Sequence, residues 1–158
     1  MNEMSKIVRT VANFVYGLII IFGFYIIVHG HLTPGGGFQG GAVAASAFAL
    51  ALVSYGQKNS QKFLKKDIFS LFESFGLTLF IVLAFSGLGI TFFYNFLANS
   101  GNWFGSAAVI GINPGDLNTG GLIPLMNIAV GLEVLSALGV ILLTMAKGAE
   151  FTKKKENS

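Results

Sequence analysis

Residues Ile7–Val28 read IVRTVANFVYGLIIIFGFYIIV, and from Val11 onward the run contains no Asp, Glu, Lys or Arg. As a helix such a run is about 33 Å long, enough to cross roughly 30 Å of hydrocarbon. It has no polar face to turn toward water, so a helix of a soluble bundle fits it poorly. Three further apolar runs follow: Gly41–Tyr55 (GAVAASAFALALVSY), Ile68–Phe93 and Leu122–Ala146. The third begins after Asp67, which suits a helix N-cap. The second is short, and makes a full span only if the helix begins among the glycines before it. Period-2 alternation is absent, which argues against a transmembrane barrel. Composition agrees: 53% of the chain is hydrophobic, 11% is charged, and mean hydropathy is +0.71. Soluble domains carry roughly a quarter charged residues. The expected fold is all-α, one integral membrane domain over 1–158, with four spans near 7–28, 38–56, 68–93 and 122–146.

The charges set an expected topology. Lys6 and Arg9 precede the first span, Lys58, Lys62, Lys65 and Lys66 lie between the second and third, and Lys147, Lys153, Lys154 and Lys155 follow the fourth. These are all 10 Lys and Arg residues, and the stretches 29–40 and 94–121 contain none. The positive-inside rule then gives N-in and C-in at the cell membrane. A net charge of +3 distributed in this way needs no nucleic acid as partner. The basic tail reads as a fringe along the bilayer surface. The first run is too long for a signal-peptide core and no small-x-small cleavage site follows it, so it reads as a retained span. Reporters at residues 37 and 105 are expected outside, and reporters at 60 and the C-terminus inside. A cytoplasmic signal from residue 105 would remove this arrangement.

With no cysteine in the chain, disulfides, thiolate metal sites and iron–sulfur clusters are excluded. The segment His31–Gly41 (HLTPGGGFQGG) invites a phosphate-loop reading. Ala42 and Val43 stand where Lys and Ser or Thr are required, so that reading fails. Pro34 suits a turn or helix start, and Gly35, Gly36, Gly37 and Gly40 permit tight backbone. Gly37, Gly41, Ala45 and Ala49 recur every four residues, a small-residue stripe that lets membrane helices approach backbone to backbone. The glycine run as a plain membrane-edge turn weighs as much as any ion-handling role.

The stretch His29-Gly-His31-Leu-Thr33-Pro34-Gly35-Gly36-Gly37-Phe38-Gln39-Gly40-Gly41 resembles the signature of the B subunit (MnhB or MrpB) of multisubunit sodium/proton antiporters. A homologous subunit belongs to the membrane arm of archaeal membrane-bound hydrogenases and sulfane-sulfur reductases. Gly120–Leu125 (GGLIPL), introducing the fourth run, resembles the same family. The long second outer loop departs from the compact form common there. The resemblance implies a small subunit of an ion-translocating assembly that moves Na+ and H+. Its partners would be other small and large antiporter subunits, and a hydrogenase-like peripheral arm where the module is joined to a redox enzyme. It implies neither cofactor nor metal on this chain.

Among ionisable residues, Glu133 lies about midway along the fourth run, roughly 16 Å from its start and about 20 Å from its end. Ser136, Val140 and Thr144 follow it at helical spacing. An intramembrane carboxylate usually faces a bundle interior or a hydrated cavity. An ion-path role and the alternative, a protonated or paired structural carboxylate, are evenly balanced. Glu73 lies nearer the basic end of the third run, where a salt bridge to Lys65, Lys66 or a partner is the plainer expectation. His29 and His31 are two apart and do not share a helix face, so joint metal binding is not expected. They remain proton-carrying candidates at the outer surface, with capping and loop contacts the plainer role. Asp116, in Pro114-Gly115-Asp116, reads as a turn former. The loop 95–121, rich in Asn and Gly with Trp103 at an interface-like position, reads as buried against a partner subunit.

Three functional classes follow: a non-catalytic subunit of a cation/proton antiporter module, a small homo-oligomeric channel or carrier, and a membrane enzyme. The third has no cofactor motif, metal constellation or nucleophile–base pair behind it.

Overall fold

The structure is a computed structural model that describes residues 3–107 and 116–156, with side chains described outside 57, 58, 61–63 and 150–156. The Asn113-Pro114-Gly115 turn lies outside the described residues. The described residues form four helices, α1 (Lys6–His29), α2 (Gly37–Phe63), α3 (Lys66–Phe85) and α4 (Leu122–Glu156). Each contains a segment long and apolar enough to cross a membrane: Lys6–His29, Gly37–Gly56, Lys66–Phe85 and Leu122–Ala149. No strand forms among the described residues, apart from one isolated bridge between Ser106 and Thr119. The chain is an all-helical membrane protein.

Ser5 caps α1 by accepting from the Val8 N–H at 3.4 Å. The helix ends where the Leu32 and Thr33 N–H groups turn back onto the His29 carbonyl, at 2.9 and 3.0 Å. Gly35 (φ 141°) and Gly36 (φ 129°) then reverse the chain in backbone conformations that suit glycine. The tight turn places α2 antiparallel to α1. α2 lies between α1 and α4, and α3 packs on the far side of α4. The backbones therefore form a row, α1–α2–α4–α3, in which the second and fourth helices are inner.

Small residues set each seam, because bulk would hold the helices apart. A Cβ on Gly23 of α1 would come within 2.7 Å of the Ala44 Cβ and 2.9 Å of the Gly40 carbonyl. A Cβ on Gly41 would meet the Gly131 carbonyl of α4 at 2.7 Å, and one on Gly76 of α3 would meet the Glu133 N at 2.8 Å. Of the small-residue stripe read from the sequence, Gly37 and Gly41 face α4, and Ala45 is buried. A second stripe, Gly40 and Ala44, faces α1 and makes α2 close-packed on two sides. Phe69 of α3 lies over Gly139 of α4, and its ring meets Phe48 of α2 edge-on at 5.0 Å.

Several boundaries differ from the sequence reading. α2 continues past 56 to Phe63 across a kink at Gly56. α3 begins at Lys66, so Asp67 lies in its first turn and not at its N-cap. α3 ends at Phe85, not near Phe93. The Ser86 N–H bonds to both the Val82 and Leu83 carbonyls, its hydroxyl donates to Leu83 O at 2.6 Å, and Gly87 and Gly89 follow. The chain then returns, with the Phe93 N–H on the Ala84 carbonyl at 3.1 Å and Phe80, Phe85, Phe92 and Phe93 clustering their rings. Hydropathy reads only that 86–93 is apolar, and an apolar turn is as apolar as a helix. The 20 residues of α3 still span about 30 Å. α4 runs beyond Ala146 to Glu156, since one exposed glycine at 148 costs a helix only about 1 kcal/mol.

Candidate functional site

The seam between α3 and α4 carries the intramembrane acids. Gly76 packs on the backbone of Glu133, and its missing side chain lets α3 approach to the point where a Cβ would lie 2.8 Å from the Ala129 carbonyl. Glu73 lies three residues before Gly76, on the same side of α3. The fold thus sets the two carboxylates along one helix–helix seam, a juxtaposition that their separation of 60 residues conceals. Both are half-buried. Neither has a hydrogen bond or ion pair among the described residues, where the salt bridge present is Arg9 to Glu3. The pairing of Glu73 with Lys65 or Lys66 expected from sequence is not formed. A charged group at mid-membrane costs about 2.5–3.5 kcal/mol on insertion scales, so each acid calls for protonation, hydration or a cation.

Ser136, one turn beyond Glu133, is 1% exposed. Thr144 is exposed, and its hydroxyl donates back to the Val140 carbonyl at 2.8 Å.

The histidines lie at the opposite end from the lysines. His29 rests its ring on Tyr25, centroids 4.1 Å apart, with Nδ1 3.2 Å from the Tyr25 carbonyl. His31 sits in the glycine turn against Gly120, and both its ring nitrogens are buried without a hydrogen bond of good geometry. Burial and the neighbouring His29 push its pKa below the usual histidine value. The backbones of Leu117 and Val28 and the Asp116 carboxylate oppose that shift. The two histidines are not joined in a group of three or more metal-ligating side chains among the described residues. Thr33 donates its hydroxyl to His29 O at 3.2 Å, while Pro34 and Phe38 are exposed.

Two asparagines matter that the sequence reading passed over. Asn127, the lone amide in the fourth run, packs against Gly30 and Gly37, and its Nδ2 is buried without a partner. Asn95 donates to Gly120 O at 2.9 Å and accepts from the Leu122 N–H at 2.9 Å, which caps α4 from a distant loop. Asn118 ties the same loop inward, accepting from the Phe104 N–H and donating to Ser106. Asp116 accepts from the Asn118 N–H at 3.0 Å. Its asparagines therefore bind the loop to itself and to α4, while Trp103 remains 84% exposed. A single amide in an apolar run was the available signal for Asn127; Asn95 offered none, because its partner is 27 residues away.

Residues 7–142 match the family described as a domain related to the MnhB subunit of Na+/H+ antiporter. The chain belongs to this MnhB-related family. An uncharacterized protein of Methanocaldococcus jannaschii is 36% identical over 141 residues, covering 87% of this chain and 50% of that protein. A Staphylococcus aureus (strain Newman) protein that carries the name antiporter subunit mnhB2 is 42% identical over 55 residues, 35% of this chain and 39% of its own. Among solved structures, a chain of the membrane-bound sulfane sulfur reductase, an archaeal respiratory membrane complex, superposes with a TM-score of 0.68 at 31% identity. That superposition covers 90% of this MnhB-family chain and 58% of the reductase chain. The chain spans about half the length of the M. jannaschii relative.

Proposed function

We propose that this chain is a non-catalytic subunit of a multisubunit cation/proton antiporter module, free-standing or joined to a redox complex. In this reading the α3–α4 seam lies on the path taken by Na+ or H+. The observation that carries it is the placement of Glu73 and Glu133 on one seam without a cationic partner among the described residues. Such carboxylates mark ion pathways and proton relays in membrane proteins. Family membership supports the subunit role, and the S. aureus antiporter subunit and the archaeal reductase complex exemplify the two host types. In this reading the basic end of the bundle faces the cytoplasm and the glycine turn faces outward, an orientation that the lysine distribution supports.

Mild solubilisation of a tagged chain from its native membrane tests the assignment. A defined hetero-oligomer of membrane subunits, whose vesicles exchange cation for protons, is the expected result. A homo-oligomer that conducts by itself would replace the proposal with a channel or carrier.

A further inference from the structure

The geometry points to a binding cleft for a phosphate-bearing membrane lipid between α1 and α2 at the basic end of the bundle. α2 leaves helical geometry at Gly56 (φ 71°, ψ 164°), and the chain turns there. The turn brings the Ser60 hydroxyl onto the Ala51 carbonyl at 3.2 Å, and the Met4 N–H bonds to Ser54 O at 3.1 Å. These contacts leave a cavity of about 310 Å³ whose apolar lining includes Tyr16, Ala51 and Leu64. Asn13 and Tyr55, bonded to each other at 2.6 Å, line both this cavity and an adjoining one of about 300 Å³. Lys6, Arg9 and Thr10 line the second cavity and form its mouth.

The order along α1 is the decisive feature. Lys6 and Arg9 come first, then Asn13, then Tyr16, over roughly 15 Å of helix. Charge gives way to amide and then to apolar wall in the direction that leads into the bilayer. A phospholipid presents the same sequence, from phosphate to glycerol to acyl chain. Arg9 donates from Nη1 to Glu3 at 2.6 Å, while its Nε is buried with no protein partner. The Arg9 side chain as a whole is 28% exposed, and its guanidinium and the Lys6 ammonium suit charge-assisted contact with a phosphate. Among the described residues, Glu3 is the carboxylate bonded to Arg9, and it also accepts from the Asn59 amide. With Lys6 and Arg9 opposite it, the local balance stays positive. The positive end of the α1 dipole adds to it. A free inorganic anion would use the mouth and leave the apolar cavity unexplained.

The test uses the purified membrane complex, stripped of lipid in detergent. Phosphatidylglycerol with a photoreactive group in its acyl chain is added, with the phosphatidylcholine analogue as control, followed by irradiation and peptide mapping. Phosphatidylglycerol adducts are expected within residues 3–16 and 51–64. Losing a charge-assisted contact should lower that labelling about tenfold in a Lys6→Gln, Arg9→Gln double variant. Arg9→Lys should retain most of it. Ala51→Phe, which fills the cavity, should also abolish labelling, with Ala51→Leu as the milder filling if the first does not assemble. Equal labelling by both lipids, or labelling indifferent to the Arg9 and Ala51 changes, would overturn the inference. So would full displacement by inorganic phosphate with no effect of Ala51→Phe, which describes a plain anion site. Cross-links from the cleft to another subunit without any lipid adduct would assign the cleft to a protein interface instead.

Discussion

Glu133→Gln should leave the assembly intact and lower cation-dependent proton exchange on the order of 100-fold, the scale typical of a lost proton-transfer group. Glutamine keeps the shape and hydrogen-bonding capacity of glutamate but neither ionises nor carries a proton. Packing is insensitive to the change, because what α3 meets at this level is the Glu133 backbone and Cβ, pressed against Gly76. Assembly and transport are therefore separable at this residue. Glu133→Asp retains the charge and should lose much less. The decisive measurement is proton exchange in vesicles across a range of sodium and pH, with complex integrity followed by native gel. Full activity of the glutamine variant would make the carboxylate structural. Loss of the complex would favour a buried charge pair with a neighbouring subunit. A Glu73→Gln variant belongs in the same series, since both acids lie along the seam.

Gly41→Leu should reduce the intact complex by at least about tenfold. Overpacking a close-packed site costs typically about 1–3 kcal/mol, and here the obstacle is backbone, which yields less readily than a side chain. Even a Cβ at Gly41 would lie 2.7 Å from the Gly131 carbonyl and 3.0 Å from the Val134 Cβ. Leucine must therefore drive α2 from α4, the two inner helices of the row. Gly17→Leu is the matched control, for nothing lies within 4 Å of the position its Cβ would occupy. It adds the same bulk to a membrane helix and should leave assembly near wild type. Equal loss from both changes would show that added bulk in a span, and not this seam, is what the complex rejects. Native gel of the solubilised complex, calibrated against total expressed chain, gives the ratio.

The sequence by itself determined the membrane class, the number of helices and the stripe Gly37–Gly41 on α2. Hydrocarbon imposes length and apolarity residue by residue, and both can be read without knowing any neighbour. It also exposed the lysine asymmetry and the glycine-turn motif that resembles the MnhB-related family. Only the tertiary structure decided which helix each face meets. Gly40 and Ala44 turn to α1 while Gly41 turns to α4. Glu73 and Glu133 come to one seam, and Asn95 reaches across the loop to cap α4. The end of α3 at Phe85 belongs to the same class, because the returning Phe93 and the Ser86 bonds fix it while hydropathy continues unchanged. The physical reason is common to all of these. Transfer into a membrane is a property of each segment alone, whereas packing and hydrogen bonding join residues far apart in the chain, and no local pattern records the distant partner.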